Sequence, residues 1–518
     1  MRFYNEDNDK KFSVRIITVA IFVVMAVAGI GFSAYLIYIS HSLYMYILAI
    51  LFTILSVVSG FFNIFASAFY YRSYFYDRYL SRLKSSTRPL KRMPEVAVIV
   101  PLYNEEVESV ERNVLRLFDL NYPSKLLHIY IADDSTDVEK ANVISKFCAS
   151  NNIKYIHRDN RKGFKAGALN NVIKGIHEEF VAIFDYDEYL VNRNFLVDLL
   201  PYFSDKKLAY IQTEKRYKKS SGLFEQSIGL FDAFFFKFIQ QARGSNNTAI
   251  FAGSCGIIRK SILDKLGGFP EYVIEDTFFS FEADMKKYHS LYIPVVYAEG
   301  KPIKSFTELV RQQWRYNYGD TQFLWYFYKH KKPKSMSPLS HIDYITHGFG
   351  LNYISVVLVL FTLVSIMIVF SAVHFVPLTI SEVFQQQYIG TDLEIFGGLA
   401  FILSLLAPVI ITKIYFNSIK KGLMIFMLNF SLAIVRTKAA FAAILGKNPS
   451  LKWNRPSNRR KHDIVFAITN TKMELAMGIA LIVLGVVATS QHNLAGGIWL
   501  LWYAVLYMLA TVFMYKYG

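Results

Sequence analysis

Apolar residues collect at the two ends of this 518-residue chain in long uninterrupted runs, and become short and periodic in the middle. The run over 14–39 exceeds the roughly 20 residues that cross a bilayer as a helix. It is too long for a signal-peptide core and lacks a clear small-residue cleavage site. Further apolar runs follow at 43–70, 353–375, 395–416, 473–490 and 497–514. The pattern predicts six membrane helices, two before the middle of the chain and four after it. The stretch 423–445 is also apolar, but Arg436 and Lys438 interrupt it and basic sequence flanks both ends. An interfacial helix or a re-entrant pair is expected there.

Between Glu95 and Tyr297 the period changes. Apolar, β-branched runs at 96–100, 127–131, 153–156, 181–184 and 208–211 alternate with helical stretches. That alternation predicts an α/β domain with a mostly parallel sheet covered on both faces, whose ligands bind beyond the carboxyl ends of the strands. Three parts follow: 1–84 with two membrane helices, 85–335 as the globular domain, and 336–518 with four membrane helices and a basic loop over 421–470.

Charge adds direction. Lys10, Lys11 and Arg15 precede the first span, Arg72, Arg78 and Arg82 follow the second, and Lys413, Lys420 and Lys421 follow the fourth. The links at 40–42, 373–394 and 491–493 carry no Lys or Arg. Basic flanks mark the cytosolic side, so the domain and both termini are expected in the cytosol of a multi-pass protein of the cell membrane. The net charge of +17 follows from those flanks. No basic face interleaved with base-reading aromatics accompanies it, which argues against nucleic acid. With only Cys148 and Cys255, a disulfide framework and a Cys-based zinc site are excluded.

Polar groups cluster where the apolar strands end. The first runs into Pro101, Tyr103 and Glu105, the second into Asp133, Asp134 and Asp137, and the fourth into Asp185 and Asp187. Carboxylates gathered on one rim repel one another unless a cation joins them. Two of them one residue apart suit Mg²⁺ or Mn²⁺, with room left for phosphate oxygens. Asp134 and Asp137 serve equally as helix N-caps before Val138, as does Asp276 before its amphipathic helix.

The ordered series resembles the processive branch of glycosyltransferase family two, which includes cellulose, hyaluronan and chitin synthases. It comprises 101–105, Asp133-Asp134, 161–170 with Lys165, Asp185-Tyr186-Asp187, Ile211-Gln212-Thr213, Phe251-Ala252-Gly253-Ser254, Ile274-Glu275-Asp276 and 312–316. The resemblance implies a GT-A-like domain that uses a UDP- or GDP-linked sugar with Mg²⁺ or Mn²⁺. It implies inverting transfer to a growing glycan, with passage of that glycan through the membrane helices. A lipid acceptor such as a polyprenyl phosphate is the alternative, and a non-catalytic nucleotide-sugar sensor is a third reading. By the resemblance, Pro101, Tyr103, Glu105, Asp134, Lys165, Asp185 and Arg315 contact the nucleotide sugar. Asp187 with Asp185 holds the metal, and Asp276 with Glu275 supplies the base. Phe251, Gly253, Ser254, Gln312, Trp314 and Tyr316 meet the acceptor. Tyr316 stands where relatives have Trp, and 451–458 stands where they carry a mobile covering loop whose Thr and Lys are not matched here.

Overall fold

The computed structural model describes residues 43–87, 92–330, 338–370, 412–447, 462–491 and 493–518, with a few isolated positions besides. The acidic link 373–394 and the segment 451–458 lie outside these residues, as do most residues of the expected spans at 14–39 and 395–416.

The middle of the chain forms one eight-stranded sheet: β1 (Val96–Leu102), β2 (Leu127–Asp133), β3 (Lys154–His157), β4 (Phe180–Ile183), β5 (Tyr189–Leu190), β6 (Leu208–Tyr217), β7 (Gly256–Arg259) and β8 (His289–Gly300). Their order across the sheet is β3-β2-β1-β4-β7-β6-β8-β5. The near-continuous apolar runs follow from burial on both faces. Val96, Val98 and Val100 of β1 join Ile129 and Ile131 in one core layer. Ala97 and Ile99 join Tyr130 and Ala132 in the other, beneath helix α3 (Phe164–Ile173).

The sheet is mixed rather than mostly parallel. β3, β2, β1 and β4 pair in parallel, as the alternating pattern predicts, and so do β6 and β8. β7 is antiparallel to both β4 and β6, and β5 is antiparallel to β8. The placement of the site depends on this. Because Ile183 at the end of β4 faces Gly256 at the start of β7, the turn before β7 reaches the rim where β1, β2 and β4 end. β6, antiparallel to β7, brings its own carboxyl end to the same rim.

Ten helices matter below. α1 (Leu43–Ser86) contains the second predicted span, α2 (Val138–Ser150) follows β2, and α4 (Leu223–Phe234) continues through a π turn (Phe235–Gln240) into Gln241–Gly244. α5 (Glu275–Met285) and the 24-residue α6 (Phe306–Lys329) complete the domain. α7 (Pro338–Val369), α8 (Ile419–Ile444), α9 (Lys472–Ser490) and α10 (Leu494–Tyr517) follow. Among the described residues, three helices are long and apolar enough to cross a membrane: α8, α9 and Gly496–Tyr517 within α10. α8 is one unbroken helix, so the re-entrant pair considered for 423–445 does not form. It lies along α6, with Phe306, Leu309 and Val310 packed against Met424, Leu428 and Leu432.

The domain is gripped from two sides at the turn after α4. Tyr76 of α1 donates to the Tyr292 carbonyl at 2.6 Å, and Arg72 donates to Ser245 at 2.9 Å. From α7, the buried Asp343 accepts from Arg243 Nε at 3.0 Å and from Thr248 at 3.0 Å.

Candidate active site

The loops after β1 and β2 are stitched into one surface. Asn104, at φ 56, accepts the backbone N–H groups of Thr136 and Asp137 on its side-chain oxygen, both at 2.9 Å. Left-handed backbone is tolerated by Asn because its short side chain bonds locally. Asp137 caps α2 by accepting the Lys140 N–H, so its role is structural. Asp134 is different. Arg158 grips it with two nitrogens, and the same guanidinium reaches the Lys162 and Phe164 carbonyls, which ties the β2 rim to the start of α3. The Arg161 guanidinium lies 3.2 Å above the Tyr103 ring. Glu105 is half-buried beside Tyr186, and burial raises its pKa. Pro101 closes β1 just below them.

Lys165, on the first turn of α3, points inward rather than into solvent. Its Nζ stands 2.6 Å from Asp185 Oδ1 and 3.1 Å from the Gly253 carbonyl. Lys215, at the end of β6, reaches Asp185 at 3.5 Å, Glu188 at 3.2 Å and Ser254 Oγ at 2.6 Å. Burial pushes the Asp185 carboxyl up, but Lys165 and Lys215 outweigh it and hold the group well below the usual carboxylate range. At Asp187 the charge of Lys215 compensates only in part. Burial, with the charges of Asp185 and Glu188 adding to it, pushes its pKa up to about 7. Glu188 shapes the turn, accepting the Asp185 backbone N–H at 2.8 Å and the Ser254 hydroxyl at 2.6 Å.

Glu275 and Asp276 open α5, and Asp276 accepts the Thr277 N–H at 2.8 Å. Gly253, at φ +80, brings its turn so close that an added Cβ would stand 3.2 Å from Asp276 Oδ2 and 3.5 Å from Lys165 Nζ. That backbone region favours glycine, and the close approach leaves the space beside the carboxylate open. Lys165 and Asp276, from two separate helices, therefore converge on one glycine. Burial, then the neighbouring Asp276, pushes Glu275 up to about 7, and burial raises Asp276 as well.

α6 closes the site. Gln312 donates to the Tyr316 hydroxyl at 3.3 Å, and Arg315 feels the charges of Tyr316, Glu275, Asp276 and Asp185. Three expected acceptor residues do not line the cleft. Trp314 packs with Tyr318 against Ala439 and Ala442 of α8, because a helical step of about 100° per residue puts it on the opposite face from Gln312. Phe251 is fully enclosed among Tyr210, Phe269 and Phe279, so it supports the turn rather than touching a sugar. Ser254 is buried beneath Lys215 and Glu188. Sequence reasoning missed Lys215, Glu188 and Arg158. The only available signal was a charged residue past an apolar strand or directly after the Asp-Tyr-Asp turn.

Among the described residues no group of three or more His, Cys, Asp or Glu side chains could hold a metal ion alone. A hard cation fits nonetheless, because Mg²⁺-type sites need only one or two carboxylates when phosphate oxygens complete the shell. Asp187, which lies outside the ion pairs that engage Asp185, suits that role best. The Glu275–Asp276 pair carries a separate prediction for a role as proton acceptor. A carboxylate accepts a proton only when ionised, and burial raises the pKa of both Glu275 and Asp276, so turnover should fall as pH drops below neutral and level off on the alkaline side. A pH–rate profile that stays flat from about pH 6 to 8 would remove the Glu275–Asp276 pair from that role.

Comparison with known proteins finds glycosyltransferases. Residues 97–267 match glycosyl transferase family 2. The cellulose synthase catalytic subunit [UDP-forming] of Pseudomonas fluorescens is 30% identical over 237 residues, covering 44% of this chain and 31% of that protein. Glucomannan 4-beta-mannosyltransferase 7 of Arabidopsis thaliana is 29% identical over 243 residues, covering 45% and 43%. The chain thus spans less than half the length of these curated relatives. A mannosyltransferase from Pyrobaculum calidifontis, solved with GDP-Man and Mn²⁺, superposes with a TM-score of 0.47 at 16% identity, covering 74% of this chain and 97% of that one.

Proposed function

We infer that this protein, a membrane glycosyltransferase whose residues 97–267 belong to family 2, elongates a β-linked glycan from a nucleotide-activated sugar. The observation that carries the reading is the meeting of Lys165, Asp185 and Asp276 around Gly253. Those residues come from three separate elements, and a structural role explains none of the contacts as well as a shared substrate does.

The nucleoside rests on the stitched surface of Tyr103, Glu105 and Asp134. The sugar and its diphosphate extend toward Lys165 and Arg315, whose charge offsets that of the departing diphosphate. Asp187, assisted by Asp185, would hold a Mg²⁺ or Mn²⁺ ion that supplies further charge stabilisation there. Asp276 takes the proton of the acceptor hydroxyl as it attacks, and Glu275 keeps the local field negative. Attack on the face opposite the leaving group inverts the anomeric carbon. Gln312 and Tyr316 form the platform for the acceptor, where a tyrosine ring still stacks on a sugar. With the basic flanks inward, the domain faces the cytosol, where nucleotide sugars are made, and the product leaves through the membrane helices.

Purified protein incubated with a panel of UDP- and GDP-sugars plus Mg²⁺ or Mn²⁺ tests the reading. Diphosphate release together with products of increasing length is the expected result. A single labelled sugar on extracted lipid would replace the polymer with a lipid carrier. No diphosphate release from any donor would end the enzymatic reading.

A further inference from the structure

Helix α8 carries a guanidinium where its sequence otherwise calls for apolar side chains. Arg436 is fully enclosed, and its Nε and Nη2 lie 3.0 and 2.7 Å from Gln313 Oε1. Its Nη1 lies 3.0 Å from Asn429 Oδ1. Among the described residues no carboxylate stands within ion-pair distance of it. Enclosing a guanidinium with only neutral amide oxygens as partners is unfavourable. An apolar side chain at this position would avoid that cost, so stability does not explain the arginine.

Its partner does. Gln313 sits within the run that also carries Gln312, Arg315 and Tyr316, but on the face of α6 turned to α8. Asn317, one turn on, is enclosed on the same face and donates to the Gln313 carbonyl at 2.7 Å. Two buried atoms near this seam, Asn317 Oδ1 and Thr437 Oγ1, have no hydrogen-bond partner among the described residues. Beyond them the Tyr318 hydroxyl donates to the Lys447 carbonyl at 2.6 Å, just past the end of α8. The two helices are therefore registered by polar contacts in a seam that is apolar elsewhere, with Trp314 and Tyr318 against Ala439 and Ala442.

We propose that Arg436 is a positioning residue: its planar fork on Gln313 fixes the rotation and axial register of α6, so that Gln312, Arg315 and Tyr316 stay presented to the transfer site. A guanidinium offers two N–H groups in fixed geometry to one oxygen, which an ammonium does not reproduce. Slippage of α6 by one residue would rotate its functional face by about 100°. Helix α8 and the acceptor platform consequently behave as one body, and displacement of either changes the other.

This rests on the transfer reaction proposed above, and the experiment separates the two. Wild-type protein, R436K, R436M, Q313E, Q313M and the double variant Q313M/R436M are compared for sugar transfer and for nucleoside diphosphate binding. Wild-type protein without transfer activity sinks the earlier reading. With an active wild type, R436M is expected to lower kcat about tenfold, with R436K only partly restoring it, and with nucleoside diphosphate affinity falling clearly less than turnover, because Arg315 alone among the three positioned side chains reaches the diphosphate. Q313E should stay within about threefold of wild type, because a carboxylate accepts the same two N–H groups. The double variant should lose no more than the worse single variant, which is the signature of one shared contact. Independent, multiplying losses in the double variant would overturn the proposal, as would equal loss of transfer and nucleotide affinity in R436M. Should R436M fail to purify, Q313M alone must show the same split between turnover and nucleotide affinity.

Discussion

Replacing Asp276 by Asn should lower sugar transfer by about 10²–10⁴-fold while leaving nucleotide binding in place. The amide keeps the shape of the carboxylate and its oxygen can still accept the Thr277 N–H at the start of α5. What it cannot do is take the proton of an attacking hydroxyl. The same substitution should not destabilise the protein. Burial raises the Asp276 pKa, which means that the folded site disfavours its charge. A neutral amide removes that penalty, so the unfolding temperature in detergent is expected to stay level or rise while turnover collapses. Opposite signs for the two quantities are a sharper test than inactivity alone, since a variant that merely misfolds loses both. Transfer within about tenfold of wild type would assign the base to another group.

Asp187→Ala should abolish stimulation by Mg²⁺ or Mn²⁺ and lower turnover by at least about 10²-fold, corresponding to several kcal/mol of lost charge stabilisation. The choice of Asp187 over Asp185 is deliberate. Asp185 is engaged by Lys165 and Lys215, so its removal frees two lysines and disturbs the rim as well as the cation. Asp187 lies outside both ion pairs, and its loss leaves Lys165 on the Gly253 carbonyl. Titration of Mn²⁺ against diphosphate release, with and without excess ion, reads the effect. Saturable Mn²⁺ stimulation retained in the alanine variant would move the metal to other ligands.

Much of the sheet was legible because burial on both faces of β1, β2 and β4 writes itself as unbroken β-branched runs. The polar groups at the ends of those runs then point to the rim by topology alone. The antiparallel β7 was not legible, since Gly256-Ile257-Ile258-Arg259 is too short to declare a direction. Lys215 was hidden for a related reason: only the pairing of β6 beside β7 carries its end to Asp185. Trp314 and Phe251 show the opposite limit. A motif names neighbours in sequence, whereas helical rotation and a buried aromatic cluster decide which of them face the cleft. The continuity of α8 was obscured by Arg436 and Lys438, whose charge suggests an interruption that the Gln313 contact makes unnecessary for Arg436.

The grip of α1 and α7 on the turn after α4 bears on how this protein can be dissected. Arg243 has its carboxylate partner, Asp343, on a helix that begins beyond the end of the globular region. A truncated soluble version ending before Pro338 would keep the enclosed guanidinium and discard the group that neutralises it, a change that commonly costs about 3–5 kcal/mol. Biochemistry on the excised sheet would therefore describe a damaged object, and detergent or nanodisc preparations of the whole chain are the natural unit of study.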